Sequence, residues 1–160
     1  MDEAGFALFG LAVVVFIVAV AAAVTAPLLR QQIIERRSAA VIGDLRAFAG
    51  AFQAHAHERG DWPPGHTAPG TIPSGMEVRL ASTLWQQPSP IGGKYRWTRR
   101  TLQQGVRYEA AIVISDIGPE KVTRDRNQLE AIDRKIDDGD LTTGKFRLGF
   151  RDQPVFVVEN

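Results

Sequence analysis

The chain has 160 residues, of which 44% are hydrophobic, and its 19 basic and 18 acidic residues leave a net charge of +1 at pH 7. A charge this close to balance argues against nucleic acid or an anionic membrane surface as the main partner. The chain has no cysteine, which excludes disulfides, thiolate metal sites and cysteine nucleophiles. Its length allows one anchoring helix and one small domain with a single core.

An uncharged apolar run, residues 6–29, begins near the N-terminus. About 20 such residues are enough to cross the hydrocarbon core of a bilayer as a helix, so the run is predicted to be a membrane helix. A cleaved secretory signal is disfavoured because the N-terminus is acidic and the apolar core is long. The arginines that follow, Arg30, Arg36 and Arg37, favour a cytoplasmic location for the rest of the chain.

The helical pattern continues over residues 30–59. Apolar residues recur there as one stripe of a 3.6-residue helix, at Ile34, Val41, Leu45, Phe48 and Phe52. Polar residues between them are predicted to face water. Gly60 is predicted to end the helix at Arg59 as a left-handed cap.

Turns and strands are predicted beyond the helix. Residues 60–93 are rich in proline and glycine and read as a turn-rich connection with one short helix over 78–85. Alternation of apolar residues predicts strands over 94–102 and 106–114, joined by a hairpin turn.

The C-terminal part is predicted to hold a second helix and two further strands. The helix opens at Pro119-Glu120 and stops at Asp137-Asp138-Gly139-Asp140, and the strands cover 145–150 and 154–159. The predicted fold class is α+β, with a long N-terminal helix that packs over its second half on a small antiparallel sheet. The helix stripe is predicted to bury against alternating strand residues, such as Tyr108, Ile112 and Ile114.

The start of the apolar run carries a recognisable arrangement. The dipeptide Gly5-Phe6 opens the run, and the small residues 21–26 lead to Pro27, 21 residues after Phe6. This arrangement resembles the methylation segment of type IV pilins and type II secretion pseudopilins. In that family a prepilin peptidase cleaves before the Phe and methylates it, and a proline at this spacing bends the helix. Weaker matches follow in the expected order, over residues 61–64, 91–97 and 132–139.

The resemblance implies four segments: a short leader-like segment over 1–5, a transmembrane or filament-core half of the helix over 6–29, the second half of the helix over 30–59, and a globular domain over 60–160. It implies a non-enzymatic structural subunit of a type IV pilus or a type II secretion pseudopilus. The subunit is anchored in the inner membrane before assembly, with its domain in the periplasm or in an extracellular filament. That topology conflicts with the charge bias of the arginines.

The partners that the resemblance implies are other pilin or pseudopilin subunits, bound through the N-terminal helix, prepilin peptidase and an inner-membrane assembly platform. No nucleic-acid partner is expected.

Two features depart from the family pattern. The family usually carries a glutamate as the fifth residue from the Phe, thought to pair with the N-terminal amine of a neighbouring subunit, and here this residue is Gly10. A subunit without this acid is similar to a tip subunit, so the departure implies a minor, initiating or tip role. The leader, residues 1–5, is short and acidic where the family prefers a basic one.

Two other hypotheses remain open. One is a single-pass membrane protein that does not polymerise and whose domain binds a ligand or partner; Gly10, the acidic N-terminus and the arginines after the run favour it. The other, a membrane-tethered enzyme, lacks a visible nucleophile–base pair or metal triad.

The histidines, tryptophans and arginines do not predict an active site. His55 and His57 lie two apart on the helix and point to different faces, which makes them poor partners for binding one metal ion. Both are predicted to face solvent. Core or anchoring roles are predicted for the tryptophans, Trp62, Trp85 and Trp97. A solvated strand edge is predicted for the arginines Arg96, Arg99, Arg100 and Arg107, in preference to a DNA-binding patch.

An acidic cluster is the single metal candidate, and no other cofactor is predicted. It comprises Asp133, Asp137, Asp138 and Asp140, of which the last three are the calcium candidates. Calcium takes several carboxylate and carbonyl oxygens as ligands. The alternative is a turn in which the aspartates bond to the local backbone.

Overall fold

The computed structural model describes residues 3–103 and 105–160, with the side chains at 3–9, 22, 24, 26, 102 and 103 left aside. The chain divides into two compact units, Met1–Arg36 and Arg37–Asn160. The helices are α1 (Glu3–Arg59), α2 (Glu77–Leu80) and α3 (Arg126–Ile136). The strands are β1 (Lys94–Gln103), β2 (Val106–Ser115), β3 (Phe146–Leu148) and β4 (Pro154–Glu159), with a 3₁₀ turn over Phe150–Asp152.

Helix α1 runs for 57 residues and continues through Pro27. It ends at Arg59, as the sequence predicts. Gly60 takes a φ of 73° there, and its N–H donates a 2.8 Å hydrogen bond to the carbonyl of Ala56. A left-handed residue closes the helix because it turns the chain while pairing one of the last carbonyls.

The predicted stripe of α1 forms one side of the core of the second unit. Four of its members are almost completely buried: Val41, Leu45, Phe48 and Phe52. Phe52 stacks on Trp97 with ring centroids 3.9 Å apart, and Phe48 meets Tyr95 edge-on at 4.8 Å. Ile34, which belongs to the first unit, is only partly buried. The helix therefore packs against the sheet through its aromatic residues.

The sheet is antiparallel with strand order β1-β2-β4-β3. The β1–β2 hairpin is confirmed, with pairs from Lys94–Ser115 to Gln103–Val106, and Gly105 takes a φ of 82° in the turn. Gln104, also predicted in this turn, lies outside the described residues. Strand β4 matches the predicted 154–159, whereas β3 covers only Phe146–Leu148 of the predicted 145–150.

Tyr108 lies on the opposite face of the sheet from the one predicted. Ile112 and Ile114 belong to the core beneath α1, as expected, but Tyr108 clusters with Ala111, Val113, Val155 and Val157. The β1–β2 ladder is interrupted beside it, where Arg100 takes a φ of 50° between the pairs Arg99–Ala110 and Thr101–Tyr108. Such an interruption ends the strict alternation on which the prediction depended.

The shorter helices differ from the prediction at their starts or ends. Helix α3 begins at Arg126 instead of Pro119-Glu120, because Asp125 accepts from the N–H groups of Asn127 and Gln128 as an N-cap. Its end at Ile136, before the predicted stop, is confirmed. Helix α2 covers Glu77–Leu80, a shorter and earlier segment than the predicted 78–85.

Candidate functional site

The first unit presents an apolar helical surface. Its large aliphatic and aromatic side chains are 40–69% exposed in the single chain: Leu11, Val13, Val14, Val15, Phe16, Ile17, Val18, Val20, Leu28, Leu29 and Ile33. They follow one another along the sequence and so surround the helix instead of forming one stripe. A helix that is apolar on all sides belongs in contact with lipid or with other helices.

Among the residues that the structure describes, no helix meets the combined requirement of length and apolarity for crossing a membrane. The transmembrane role predicted for residues 6–29 is not confirmed.

The residues that carry the methylation-segment resemblance all lie in α1. The side chain of Phe6 lies outside the described residues, and no contact tests the Gly5-Phe6 junction. At Gly10 an added Cβ would meet no atom within 4 Å, so the helix has room for a side chain there. Pro27 lacks an N–H and lies inside the helix, beside Thr25, whose hydroxyl donates to the carbonyl of Ala21 at 2.9 Å. The predicted bend at Pro27 stays a prediction.

The acidic cluster lies at the C-terminal end of α3 and in the turn that follows. Carboxylate oxygens of Asp133, Asp137 and Asp138 all lie within 4.8 Å of one another. Asp133 is 0% exposed, whereas the other two are exposed. Both carboxylate oxygens of Asp133 are buried without a hydrogen-bond partner among the described residues.

Burial raises the pKa of Asp133 to about 6, and the nearby carboxylates of Asp138 and Asp137 add to the rise. The backbone N–H of Gly139 acts in the opposite direction, although it forms no hydrogen bond of ordinary geometry with either oxygen. The charged form of Asp133 is therefore poorly stabilised by the protein itself.

Asp140 does not join the other three carboxylates, contrary to the prediction. Its Oδ1 accepts from the N–H of Thr142 at 2.9 Å and from the hydroxyl of Thr142 at 2.7 Å. These bonds lower the pKa of Asp140. Asp140 thus plays the turn role that was the alternative to calcium binding.

Asp133 takes the place that the prediction gave to Asp140. A signal for this was present in the sequence. Asp133 lies one residue after Ile132 and three before Ile136, on the apolar stripe of α3, which makes it an acid on a buried helix face.

The three histidines differ in solvent exposure and in their contacts. His57 is exposed, as predicted, but His55 is only 8% exposed, contrary to the prediction. The segment at Gly75 covers it, since a Cβ at that glycine would lie 3.2 Å from the His55 ring. His66 bonds through Nδ1 to the Thr98 hydroxyl at 2.7 Å.

The tryptophans have structural positions. Trp85 and Trp97 are fully buried, and their Nε1 groups donate to the carbonyls of Thr71 and Pro63 at 2.9 and 3.1 Å. Trp62 is partly buried and packs against the same core. The predicted core or anchoring role is confirmed for all three.

The arginines of β1 contact nearby acids. Arg99 bonds to Asp61 and Glu109, and Arg100 bonds to Glu109 at 3.0 Å. Arg96 is half-buried, and burial lowers its pKa. Arg100 and Arg107 are exposed, whereas Arg96 and Arg99 are only partly exposed. The four predicted arginines therefore do not share one solvated edge.

No protein-family model matches the chain, and no curated protein matches it either. Among solved structures, the chain is similar to the major type IV pilin PilA1 from Clostridium difficile, with a TM-score of 0.54 and 16% sequence identity. The likeness covers 81% of this chain and 98% of that one. At this identity it describes the fold. The chain has a pilin-like fold, of class α+β, in which a long N-terminal helix is followed by a four-stranded antiparallel sheet.

Proposed function

We propose that the chain is a structural subunit of a type IV pilus or a type II secretion pseudopilus. The observation that carries the proposal is the apolar surface of α1 between Leu11 and Ile33, exposed in a chain with a pilin-like fold. Fully burying one such Val, Leu, Ile or Phe side chain is worth about 1.5–3 kcal/mol. A partner that covers the whole surface would therefore be bound strongly.

The partners of that surface change during assembly. Before assembly the apolar run over 6–29 holds the subunit in the inner membrane, with the domain on the periplasmic side. Prepilin peptidase removes the leader before Phe6, and an inner-membrane platform then transfers the subunit into the filament. In the filament the helices of other subunits replace lipid, and no catalytic residue of this chain takes part.

Small residues favour this exchange. Ala19 and Ala23 lie four residues apart on α1 and are exposed, so they form a small-residue ridge along which a second helix can approach closely.

Gly10 supports a minor or tip role. At this position the subunit offers no carboxylate to the N-terminal amine of the next subunit, and the helix has open space in its place. A subunit that lacks this attraction is suited to the end of a filament, where no such neighbour is needed.

The test separates membrane anchoring from polymerisation. A paired variant, Ala19→Trp with Ala23→Trp, keeps the helix apolar but blocks close helix approach. We expect unchanged recovery from membranes and at least a tenfold drop in the sheared filament fraction, which corresponds to about 1.4 kcal/mol of lost packing. The control pair, Val14→Leu with Val18→Leu, adds volume away from the ridge and should assemble normally.

Two results would contradict the proposal. If the wild-type chain stays in the membrane while the host assembles filaments from its other subunits, the chain is a non-polymerising single-pass protein. Equal filament recovery of the tryptophan pair and the wild type would show that this helix surface does not pack against neighbours.

A further inference from the structure

We propose that Asp133, Asp137 and Asp138 form a calcium site that fastens the end of α3 to the turn leading into β3. Their carboxylate oxygens lie within 4.8 Å of one another. Independently of that clustering, Asp133 is 0% exposed, and neither of its oxygens has a hydrogen-bond partner among the described residues.

A buried carboxylate without a partner points to a missing positive charge. Burying an ionised carboxylate costs several kcal/mol unless it is paired or coordinates a metal. None of the ion pairs within the described part of the chain includes any of the three aspartates. Arg126, on the same helix, pairs with Glu130 instead. A bound cation would supply the charge that the neighbouring side chains do not.

Arg134, the residue after Asp133, takes up a packing position. The Arg134 side chain lies against Gly139, where an added Cβ would be 2.5 Å from Arg134 Cγ. Gly139 has a φ of 87° and no Cβ, so its backbone can lie directly against the Arg134 side chain. Arg134 therefore packs on the turn and forms no ion pair with the three aspartates.

The ligand type and spacing favour calcium. All three donors are carboxylates, and hard oxygen ligands suit calcium or magnesium. Calcium binds oxygen at about 2.3–2.6 Å, so ligands on opposite sides of the ion are roughly 5 Å apart, whereas for magnesium this separation is about 4.2 Å. The exposed position of Asp137 and Asp138 leaves room for water to complete the shell.

The site lies where a metal ion would stabilise the fold. Asp137 accepts from the N–H of Lys145, the residue before β3, and Asp138 accepts from the hydroxyl of Thr143 at 3.1 Å. These bonds already join the helix end to the turn. An ion shared with buried Asp133 would anchor both to the core.

Calorimetric titration of the full chain in detergent with calcium chloride tests the site. We expect one ion per chain, a Kd on the order of 10⁻⁵–10⁻³ M and weaker binding of magnesium. At a calcium concentration about 100 times the Kd, the midpoint of thermal unfolding should rise by roughly 5–10 °C relative to EDTA.

The variants separate a specific site from general attraction to acidic surface. Asp133→Asn and Asp138→Asn should each weaken calcium binding at least tenfold. Asp152→Asn, an exposed acid in the turn before β4, is the matched control and should bind as the wild type does. In EDTA, the thermal midpoint of Asp133→Asn should be no lower than that of the wild type, because the substitution removes a buried charge. Asp138→Asn repeats the calcium-binding test at an exposed position.

Three results would overturn the assignment. The first is the absence of calcium-dependent heat and of any thermal shift in the wild type up to about 10 mM, well above the weakest expected Kd. The second is unchanged calcium affinity in both Asp133→Asn and Asp138→Asn. The third is binding of magnesium as tight as that of calcium.

Discussion

The packing of α1 on the sheet is tested most sharply at Phe52. This side chain is fully buried, lies 3.9 Å from the Trp97 ring in a nearly parallel stack, and meets Trp85 at 5.3 Å. Phe52→Ala removes both ring contacts and leaves a cavity under the sheet. Gln53→Ala, at the next residue, changes an exposed side chain of the same helix and serves as the control.

The expected loss follows from these contacts. A buried Phe→Ala substitution costs about 3–5 kcal/mol in transfer and cavity terms. This range already includes most of the two aromatic pairs, each worth about 0.5–1.5 kcal/mol beyond its area. We therefore expect about 4 kcal/mol of lost unfolding free energy and a thermal midpoint lower by roughly 10–20 °C. Gln53→Ala should stay within about 0.5 kcal/mol of the wild type.

Denaturant and thermal unfolding of the full chain in detergent, followed by tryptophan fluorescence and near-ultraviolet circular dichroism, measure this difference. Trp85 and Trp97 are both buried beside Phe52, so the signal reports on the affected core. A loss below about 1 kcal/mol for Phe52→Ala, in the range of ordinary surface changes, would show that the α1 stripe is not packed as described.

Three further predictions concern the helix start, the loop glycines and pH. Gly10→Glu should leave the midpoint of thermal unfolding unchanged, since a Cβ at this position meets nothing within 4 Å. It should raise the recovery of the chain in sheared filaments, because it restores the carboxylate that pairs with a neighbouring subunit. Lower recovery would contradict the tip role. Gly92→Ala should lower the free energy of unfolding by more than about 2 kcal/mol, because its Cβ would lie 2.1 Å from the Lys121 carbonyl oxygen at a φ of 87°. Gly105→Ala, with a φ of 82° and open space around it, should lower it by about 1 kcal/mol from backbone strain alone. Equal losses for the two variants in denaturant unfolding would refute the close approach at Gly92. Burial raises the pKa of Asp44 despite the hydrogen bond that it accepts from Tyr95. Its contribution to stability is therefore complete below the unfolded pKa of 3.8 and is lost as pH rises through the higher folded pKa. Wild-type stability should fall relative to Asp44→Asn as pH rises above 3.8, and parallel pH profiles of the two proteins would exclude this contribution.

Much of the fold could be predicted because the strongest patterns in the sequence are local. The stripe from Val41 to Phe52 and the positive-φ Gly60 determine where α1 packs and where it ends, and neither depends on distant residues. The β1–β2 hairpin is likewise evident from alternation on either side of Gly105.

The incorrect predictions depend on contacts that are distant in the sequence or on a single local irregularity. Tyr108 changes face because of the break at Arg100, which the side-chain alternation does not reveal. His55 is buried by the segment at Gly75, twenty residues away in sequence, and no helical pattern contains that information. The predicted start of α3 at Pro119-Glu120 is wrong because the helix begins after Asp125, whose side chain accepts from the N–H groups of Asn127 and Gln128.

The acidic cluster could be predicted in its position but not in its members. Four aspartates near one helix end are visible in the sequence, and the apolar stripe of α3 marks Asp133 as the buried one. The bonds of Asp140 to Thr142 and the close approach of Asp137 and Asp138 to Asp133 become visible only in the tertiary structure. Asp133, whose oxygens have no hydrogen-bond partner among the described residues, is the one carboxylate of the three that the fold hides from water.

The central claim is that this chain is a processed filament subunit. The intact mass and N-terminal sequence of the native protein, purified from membranes, test it most directly. The account predicts a chain that begins at methylated Phe6. A chain that still carries Met1 to Gly5 in cells with an active prepilin peptidase would contradict it and leave a membrane-anchored binding domain as the better description.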